Sequence, residues 1–473
     1  MATNGPLLDT LRAIVGEHGI LSSAHDLEGF VEDWRGRYRG DALCVVLPRN
    51  TGEVSAVVRA AVAAGVPVLP QGGNTSLSGG SVPFEGEGAV ILNLSRMRRI
   101  RHVDAANHSM EVEAGCVLAD IQAAAVAAHR FFPISLGAEG SCQIGGNIAT
   151  NAGGTGVLRY GNTRENVLGL EVVLPDGTVW NGLRTLRKDN TGLDLKHLFI
   201  GAEGTLGIIT AATLKLSPLP TAHAVSWLAP ASVEAALELL GLFQERCGAQ
   251  LSAFELMNRK QLDIVLAHVP GQHSPLAEPH AWHLLVELSD SDDEARLGEA
   301  LENTLAVAFD RGLVTDAVLA SSSAQREALW KIRHSVSEGN KKAGVGLTLD
   351  TAVPVSQVPE FIARATAAIK AAFPADVVIV GHMGDGNIHF IPFFDFATWE
   401  AQTNRDALTM RVKRVGHDIA ASLGGTFSAE HGVGRTLLGE MQHYKSDVEI
   451  AMLRAVKRAF DPQGLFNPGK LIP

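Results

Sequence analysis

Cysteine is scarce in this chain of 473 residues: Cys44, Cys116, Cys142 and Cys247 stand alone, with no CxxC and no short paired spacing. Neither a disulfide framework nor a thiolate metal site is supported, and the thiols are expected to be reduced and structural. No run of 18 or more apolar residues occurs, so no integral membrane segment is predicted. Positive charge is in deficit, with 40 Lys and Arg against 51 Asp and Glu and a formal net charge of −11. That balance argues against a nucleic-acid footprint and offers no polybasic patch to a membrane surface. The opening Met-Ala-Thr-Asn-Gly-Pro has neither the charged nor the apolar region of a signal peptide, and a cytoplasmic location is expected. Low-complexity repeats are also missing. At 46% hydrophobic, the chain has core enough for two or three compact units.

What the chain does have is concentrated in two short strings, Gly-His-Met-Gly-Asp-Gly-Asn-Ile-His from Gly381 to His389 and Ala-Glu-His-Gly-Val-Gly from Ala429 to Gly434. His382 and His389 are seven apart, and one continuous strand would point them to opposite faces. A helix is disfavoured by Gly384, Asp385, Gly386 and Asn387 in succession. A tight turn remains, entered by a strand over Asp376 to Val380 and left by a strand over Ile388 to Phe394, with the histidines at the two mouths of a hairpin. Two imidazoles that converge there, with the carboxylate of Glu430 and a third imidazole at His431, form the ligand set of a divalent metal site with a base beside it.

The first half alternates short apolar runs with glycine-rich turns. Ala42 to Leu47 reads as a strand, Thr51 to Ala64 as a helix marked at its start by Thr51 and Glu53, and Val66 to Leu69 as a second strand. The loop from Pro70 to Gly80 that follows exposes consecutive backbone N–H groups and could wrap a pyrophosphate. It is neither a Walker loop nor a Gly-x-Gly-x-x-Gly turn. A second glycine-dense segment spans Leu136 to Gly161, and a third patch, Phe199 to Thr210, borders a β-branched strand. Segments of this kind are expected where backbone approaches a large, flat, nucleotide-like ligand, although each could also be a set of turns between strands.

These strings carry a family resemblance. The loop Pro70 to Gly80, the segment Gly140 to Gly154, the string Leu186 to Lys196 and the patch Gly201 to Thr210 resemble the FAD-binding domain of the vanillyl-alcohol oxidase superfamily. With Trp330 to Arg333, Gly381 to His389, Ser428 to Gly434 and Phe466-Asn467-Pro468-Gly469-Lys470, the resemblance narrows to FAD-linked D-2-hydroxy acid dehydrogenases of the D-2-hydroxyglutarate and D-lactate type.

The resemblance implies an α+β fold. A FAD-binding domain of two subdomains is expected over residues 1–220, an inserted α+β substrate or cap domain over 221–424, and a C-terminal segment, 425–473, returning to the FAD domain. The proline-punctuated Ser217-Pro218-Leu219-Pro220, followed by a helical pattern from Ser232 to Arg246, permits that boundary. FAD is expected to be held by Pro70, Gln71, Gly72, Gly73, Asn74, Thr75, Gly79 and Gly80 in the first loop. Gly140, Ser141, Ile144, Gly145, Gly146, Asn147, Thr150, Asn151, Gly153 and Gly154 would follow in the second, then Glu203, Gly204, Gly207, Ile209 and Asn467. A covalent flavin link often uses a histidine in the first loop; Asn74 follows its glycine pair here, and non-covalent FAD is expected.

Oxidation of a 2-hydroxy acid sends a hydride to flavin and the hydroxyl proton to a base. His382, His389 and Glu430 are the expected metal ligands, for zinc first and for manganese, iron or cobalt otherwise. His431 is the expected base, since an imidazole beside a cation stays neutral. Arg333 matches the family arginine that grips the substrate carboxylate, and Ser337, at i+4 on a continuous helix, would add a hydroxyl.

Two positions depart from the hydroxyglutarate pattern: Thr348 stands where a lysine is expected and Ile391 where an asparagine is. A D-2-hydroxy acid with a short or apolar tail, such as D-lactate or a larger aliphatic or aromatic analogue, is therefore expected. D-2-hydroxyglutarate is the alternative, should Lys341, Lys342 or Arg435 replace the missing cation. Partners would be that small molecule, an electron acceptor such as an electron-transfer flavoprotein or a quinone, and a second copy in a homodimer. A metallohydrolase without flavin and a non-catalytic nucleotide-binding module are the readings from other classes.

Overall fold

The computed structural model describes residues 5–473. The chain forms two compact units, one running to Gly154 and continuing through Gly161–Leu219 and Glu430–Pro473, the other made of Thr155–Tyr160 and Pro220–Ala429. The first change of unit lies beside the expected 220/221. The return lies at 429/430 rather than 425, because Thr426 exchanges backbone hydrogen bonds with Ala352, and Ala429 donates to the Asp350 carbonyl. The short helix Val157–Tyr160 was not expected in the second unit. Arg159 anchors it there by donating to the Ser289 carbonyl and, at 2.8 Å, to its hydroxyl.

In the first unit, Ile20–Leu21, Ala42–Val46, Ala89–Asn93 and Val68–Gln71 lie side by side in that order, the last three parallel. The helix Thr51–Ala63 crosses between two of them and buries Val54, Val57, Val58 and Ala61, the i, i+3, i+4, i+7 spacing of a single helix face. Its cap is Asn50, whose side chain accepts from the Glu53 amide at 2.9 Å, rather than Thr51, in line with the greater capping strength of Asn. The following strand starts at Val68, since Val66 still donates to Ala61 of the helix end. A second sheet, antiparallel throughout, has the order Ile100–Asp104, Ser109–Glu113, Ile208–Lys215, Val167–Val173, Val179–Gly182. One apolar cluster joins both sheets through residues such as Val46, Leu92, Val112, Leu170 and Leu214.

The last residues belong to this unit. The helix Asp447–Phe460 starts at a capping box formed by Ser446 and Glu449. Lys457 Nζ near its end donates to the carbonyls of Thr205 and Phe466, each at 2.7 Å, and pairs with Asp461 at 2.6 Å. All four cysteines are buried and unpaired, and burial pushes the Cys44 and Cys116 thiols up to about 12.

The second unit is built on one antiparallel sheet in the order Val314–Leu319, Ala222–Pro230, Trp282–Asp290, Leu251–Asn258, Asp376–His382, Asn387–Phe394, Val345–Gly346, with Leu349–Ala352 also paired to Asn387–Phe394. Alternation along the strands sorts their side chains onto two faces. One face, with Leu228, Leu256, Leu284, Val286, Ile379 and Phe390, packs against the helices Val233–Cys247, Glu294–Asp310, Val358–Ala372 and Arg405–Ser422. The other, with Trp227, Met257, Leu285, Val378 and Val380, packs against Arg259–His268, Ser323–His334 and Val336–Ala343. No helix among the described residues is long and apolar enough to cross a membrane.

Phe390 is fully buried and meets Phe361 edge-on at 5.8 Å. Phe390→Ala is expected to cost about 3–5 kcal/mol through the cavity it leaves, read as a lower urea midpoint at unchanged slope; a loss below about 1 kcal/mol would show that the site collapses freely.

Candidate active site

The second of these sheet faces turns polar at one end. Glu255 pairs in register with His382, His382 with Asn387, and Asp350 with His389. The turn between the hairpin strands is the four residues Met383–Gly386. Because His382 is opposite Asn387, His389 two residues further on points to the same side. The two imidazole centroids are 5.5 Å apart with planes at 81°.

Glu255 organises this end. It is buried at 2% exposure; its Oε1 lies 2.7 Å from His382 Nδ1, and its Oε2 accepts from Arg333 Nε at 2.7 Å. Burial alone would raise its pKa, but the facing charges of His382 and Arg333 outweigh that and hold it at about 2. Arg333 is the residue expected to grip a substrate carboxylate. Its Nε is committed to Glu255, while its two terminal nitrogens make no hydrogen bond among the described residues.

Ser337 is not placed as expected. The helix Ser323–His334 ends at Ser335 and a second helix, Val336–Ala343, begins. The i+4 relation to Arg333 is broken and Ser337 is exposed. The candidate replacement cations are also occupied or remote. Lys341 and Lys342 are exposed on that second helix, with Lys342 pairing with Glu338 at 2.6 Å. Arg435 belongs to the other unit, where it stacks on Phe84 at 3.9 Å and Tyr38 at 4.6 Å.

Asp350 is a second carboxylate that sequence reasoning did not select. Its Oδ1 accepts from Asn387 Nδ2 at 3.0 Å and lies 3.7 Å from His389 Nδ1; its Oδ2 accepts from the Ala429 amide at 3.1 Å. Asp350 and His389 each offer a metal-ligand atom within 4.8 Å of the other. Glu430 follows Ala429 in the chain and opens the final segment of the first unit, where Glu430 Oε1 lies 3.7 Å from His431 Nε2. For Asp350 and Glu255 a signal was present, a lone acid in an otherwise apolar, strand-like run, but only the register tells which face the acid shares.

Beside His389 the same sheet face changes character. Leu349 pairs with Phe390 and Leu347 donates to the Pro392 carbonyl at 2.9 Å, which sets Thr348 opposite Ile391. Ile391 is 4% exposed and joins the apolar cluster of this face.

In the first unit the glycine-rich segments come together. Gly73 packs so closely on Ser141 that a Cβ would collide with its carbonyl oxygen, whereas a Cβ on Gly146 would meet nothing within 4 Å. Part of the glycine density therefore serves loop-on-loop packing, and part leaves a cradle. The non-glycine residues with left-handed backbone include Asn74, Asn151, Glu203 and Asn467, one in each expected cofactor segment, and such strain clusters at ligand sites. Gln71 and Asn74 are tied into the protein: Gln71 Nε2 donates to Phe30 and Ser81 carbonyls, and Asn74 Nδ2 to that of Glu32. The Asn151 carboxamide oxygen accepts from the Arg164 amide. By contrast, the buried acceptors Gln143 Oε1, Asn147 Oδ1 and Asn467 Oδ1 have no partner. Three orphan acceptors beside an open glycine cradle fit a ligand rich in N–H and hydroxyl donors, as FAD is.

Four expected cofactor contacts are made through backbone at most. Ile144 and Ile209 are core side chains, and Gly145 packs against Ala114. The Glu203 carboxylate is spent inside the protein, accepting from the amides of Val433 at 2.7 Å and Gly434 at 2.8 Å. Burial raises its pKa to about 7 against the pull of those two amides.

Comparison with known proteins shows the family. Residues 42–182 match the FAD binding domain model, and residues 219–471 the model for the C-terminal domain of FAD linked oxidases. D-2-hydroxyglutarate dehydrogenase of Xanthomonas citri pv. viticola is 37% identical over 469 residues, covering 98% of this chain and 97% of that protein. The mitochondrial D-2-hydroxyglutarate dehydrogenase of Arabidopsis thaliana is 36% identical over 462 residues, covering 98% and 80%. In fold, p-cresol methylhydroxylase with substrate bound superposes with a TM-score of 0.78 at 17% identity, over 98% of this chain and 96% of the other. The chain belongs to the FAD linked oxidases and, within them, to the FAD-dependent D-2-hydroxy acid dehydrogenases.

Removal of Glu255 takes away the carboxylate that pairs with the Arg333 guanidinium and bonds His382 Nδ1. Glu255→Ala is expected to destabilise the protein by about 3–5 kcal/mol in urea unfolding, and an effect below about 1 kcal/mol would show the pair to be dispensable.

Proposed function

We propose that this dehydrogenase works with a divalent cation held by His382, His389 and Glu430, takes the substrate carboxylate on Arg333, and uses His431 as the base. The observation that carries this reading is Glu255, one buried carboxylate bonded to both Arg333 and His382, which fixes the carboxylate anchor and a candidate metal ligand relative to each other. Arg333 offers its terminal N–H pair as a bidentate fork for the 1-carboxylate. The Nδ1 of His382 is held by Glu255, so Nε2 is its ligating nitrogen. Asp350, held by Asn387 and the Ala429 amide, orients His389.

A set of imidazole and carboxylate donors suits zinc, manganese, iron or cobalt. Such an ion would lower the pKa of the substrate hydroxyl. Bound FAD supplies the hydride acceptor. His431 takes the hydroxyl proton, its Nε2 lying 3.7 Å from Glu430 Oε1.

For the substrate tail, Thr348 opposite Ile391 puts neither a cation nor an amide at those two positions of the sheet face, and Lys342 is paired with Glu338. This favours a short or apolar tail, as in D-lactate or an aliphatic or aromatic analogue. D-2-hydroxyglutarate is the second reading, favoured by the names of the relatives.

Anaerobic mixing with D-lactate, D-2-hydroxybutyrate, D-mandelate and D-2-hydroxyglutarate is expected to bleach the flavin, fastest with the apolar tails, and a preference of about a hundredfold for the diacid would overturn that part. Dialysis against a chelator should abolish bleaching and added zinc or manganese restore it; full activity in metal-free protein would remove the ion from the scheme. His431→Ala is expected to keep FAD and slow reduction by at least about 100-fold, and an unchanged rate would take the base role from His431.

A further inference from the structure

The Glu430–His431 pair sits on a turn that the rest of its own unit grips from beneath. Glu203 is the grip. Its backbone is left-handed at φ +50° and its amide donates to the Ala149 carbonyl at 2.8 Å, the end of the helix Ile144–Ala149 in the second glycine segment. Its carboxylate accepts from two successive amides, Val433 at 2.7 Å and Gly434 at 2.8 Å, the arrangement of an anion in a backbone nest. Gly432 and Gly434 both have positive φ, at +79° and +51°. A Cβ on Gly432 would come within 2.8 Å of Glu203 Oε1, and one on Gly434 would collide with the Ser78 carbonyl oxygen. Only glycine fits either position. Ser78, from the first glycine loop, donates its hydroxyl to the His431 carbonyl at 3.0 Å and accepts from the Arg435 amide at 3.0 Å.

We infer that Glu203 is a positioning residue: its carboxylate, held in the Gly432–Gly434 nest, locks the Glu430–His431 turn to the two glycine segments that cradle FAD, so that base and cofactor share one rigid frame. The inference rests on the proposed roles of Glu430 and His431 but makes a claim of its own. Among the described residues no cation pairs with Glu203, and the two amides are the hydrogen bonds its side chain makes. A carboxyl at this depth has its oxygens satisfied by those two amides, and the turn cannot shift without leaving a buried acceptor unpaired.

The test is Glu203→Gln in the full-length holoprotein. The neutral amide accepts from one backbone N–H and presents a donor to the other. Hydrogen exchange at Val433 and Gly434 is expected to quicken by at least about tenfold, with the amides of Ile144–Ala149 unchanged. FAD content should remain stoichiometric, kcat for flavin reduction should fall by about 10-fold to 100-fold at nearly constant substrate KM, and zinc occupancy at limiting metal should drop. Ser78→Ala, which removes only the hydroxyl bond to the His431 carbonyl, should show the same exchange and kcat changes in weaker form, and serves where Glu203→Gln does not fold. Unchanged exchange at Val433 and Gly434 in both variants would overturn the inference, as would faster exchange with wild-type kcat and zinc occupancy. Loss of FAD with exchange unchanged would also overturn it, by making Glu203 a cofactor ligand. If His431→Ala itself reduces flavin normally, the assigned base fails, and the lock then stands or falls on exchange and zinc occupancy.

Discussion

A carboxylate without water has to be surrounded by positive charge or by aimed amides, and the candidate active site depends on that constraint. Glu255 lies on an inner strand of the sheet, opposite Leu285 and on the face that carries Trp227, Met257, Val378 and Val380. Its charge is tolerable there only because Arg333 and His382 occupy one oxygen each. A strand and a helix that meet nowhere else in the polar cluster are thereby held in one geometry. The arginine keeps its two terminal nitrogens out of that bond.

The two faces of the same sheet divide the work. On the larger face, four helices cover an uninterrupted apolar surface, and substitutions there act on stability alone. On the smaller face the covering is thinner, and the polar residues gather where the hairpin of Asp376–His382 and Asn387–Phe394 meets the short strand Leu349–Ala352. A rigid hairpin suits metal ligands better than a loop, because each side chain direction follows from the pleat and the register rather than from a flexible backbone.

Much of this was legible in the residues, and the gaps have physical reasons. The hairpin around Gly384–Asn387 could be read because glycine, aspartate and asparagine in succession suit a turn and little else. The glycine segments were legible from composition, and the α+β class followed from the family resemblance those segments carry. Register was not: whether Glu255 faces His382, or Thr348 faces Ile391, depends on pairing between strands far apart in sequence. The break at Ser335, which separates Arg333 from Ser337, carries neither proline nor glycine and is imposed by packing. Glycine proved ambiguous for a different reason. Density of glycine signals close approach, but sequence cannot say whether the approaching partner is a ligand or another loop, and at Gly73 and Gly145 it is protein.

The Glu430–His431 turn gathers these constraints into three residues. Ala429 before it is fixed by two hydrogen bonds to Asp350, from its amide to the carbonyl and to the carboxylate of that residue. Val433 after it is fixed by Glu203. Within its own unit the turn closes on Glu203 through Gly432, whose φ is +79° and whose Cβ position lies 2.8 Å from Glu203 Oε1. A chain that merely linked two units would need neither anchor, and links of that kind are ordinarily exposed and free of such bonds. Pinning both ends removes the backbone freedom that a ligand and a base would otherwise lose at each turnover, and orientation supplied in advance is among the largest sources of rate available to a protein. The acid in front of the turn and the acid behind it are thus as much a part of the chemistry as the side chains they present.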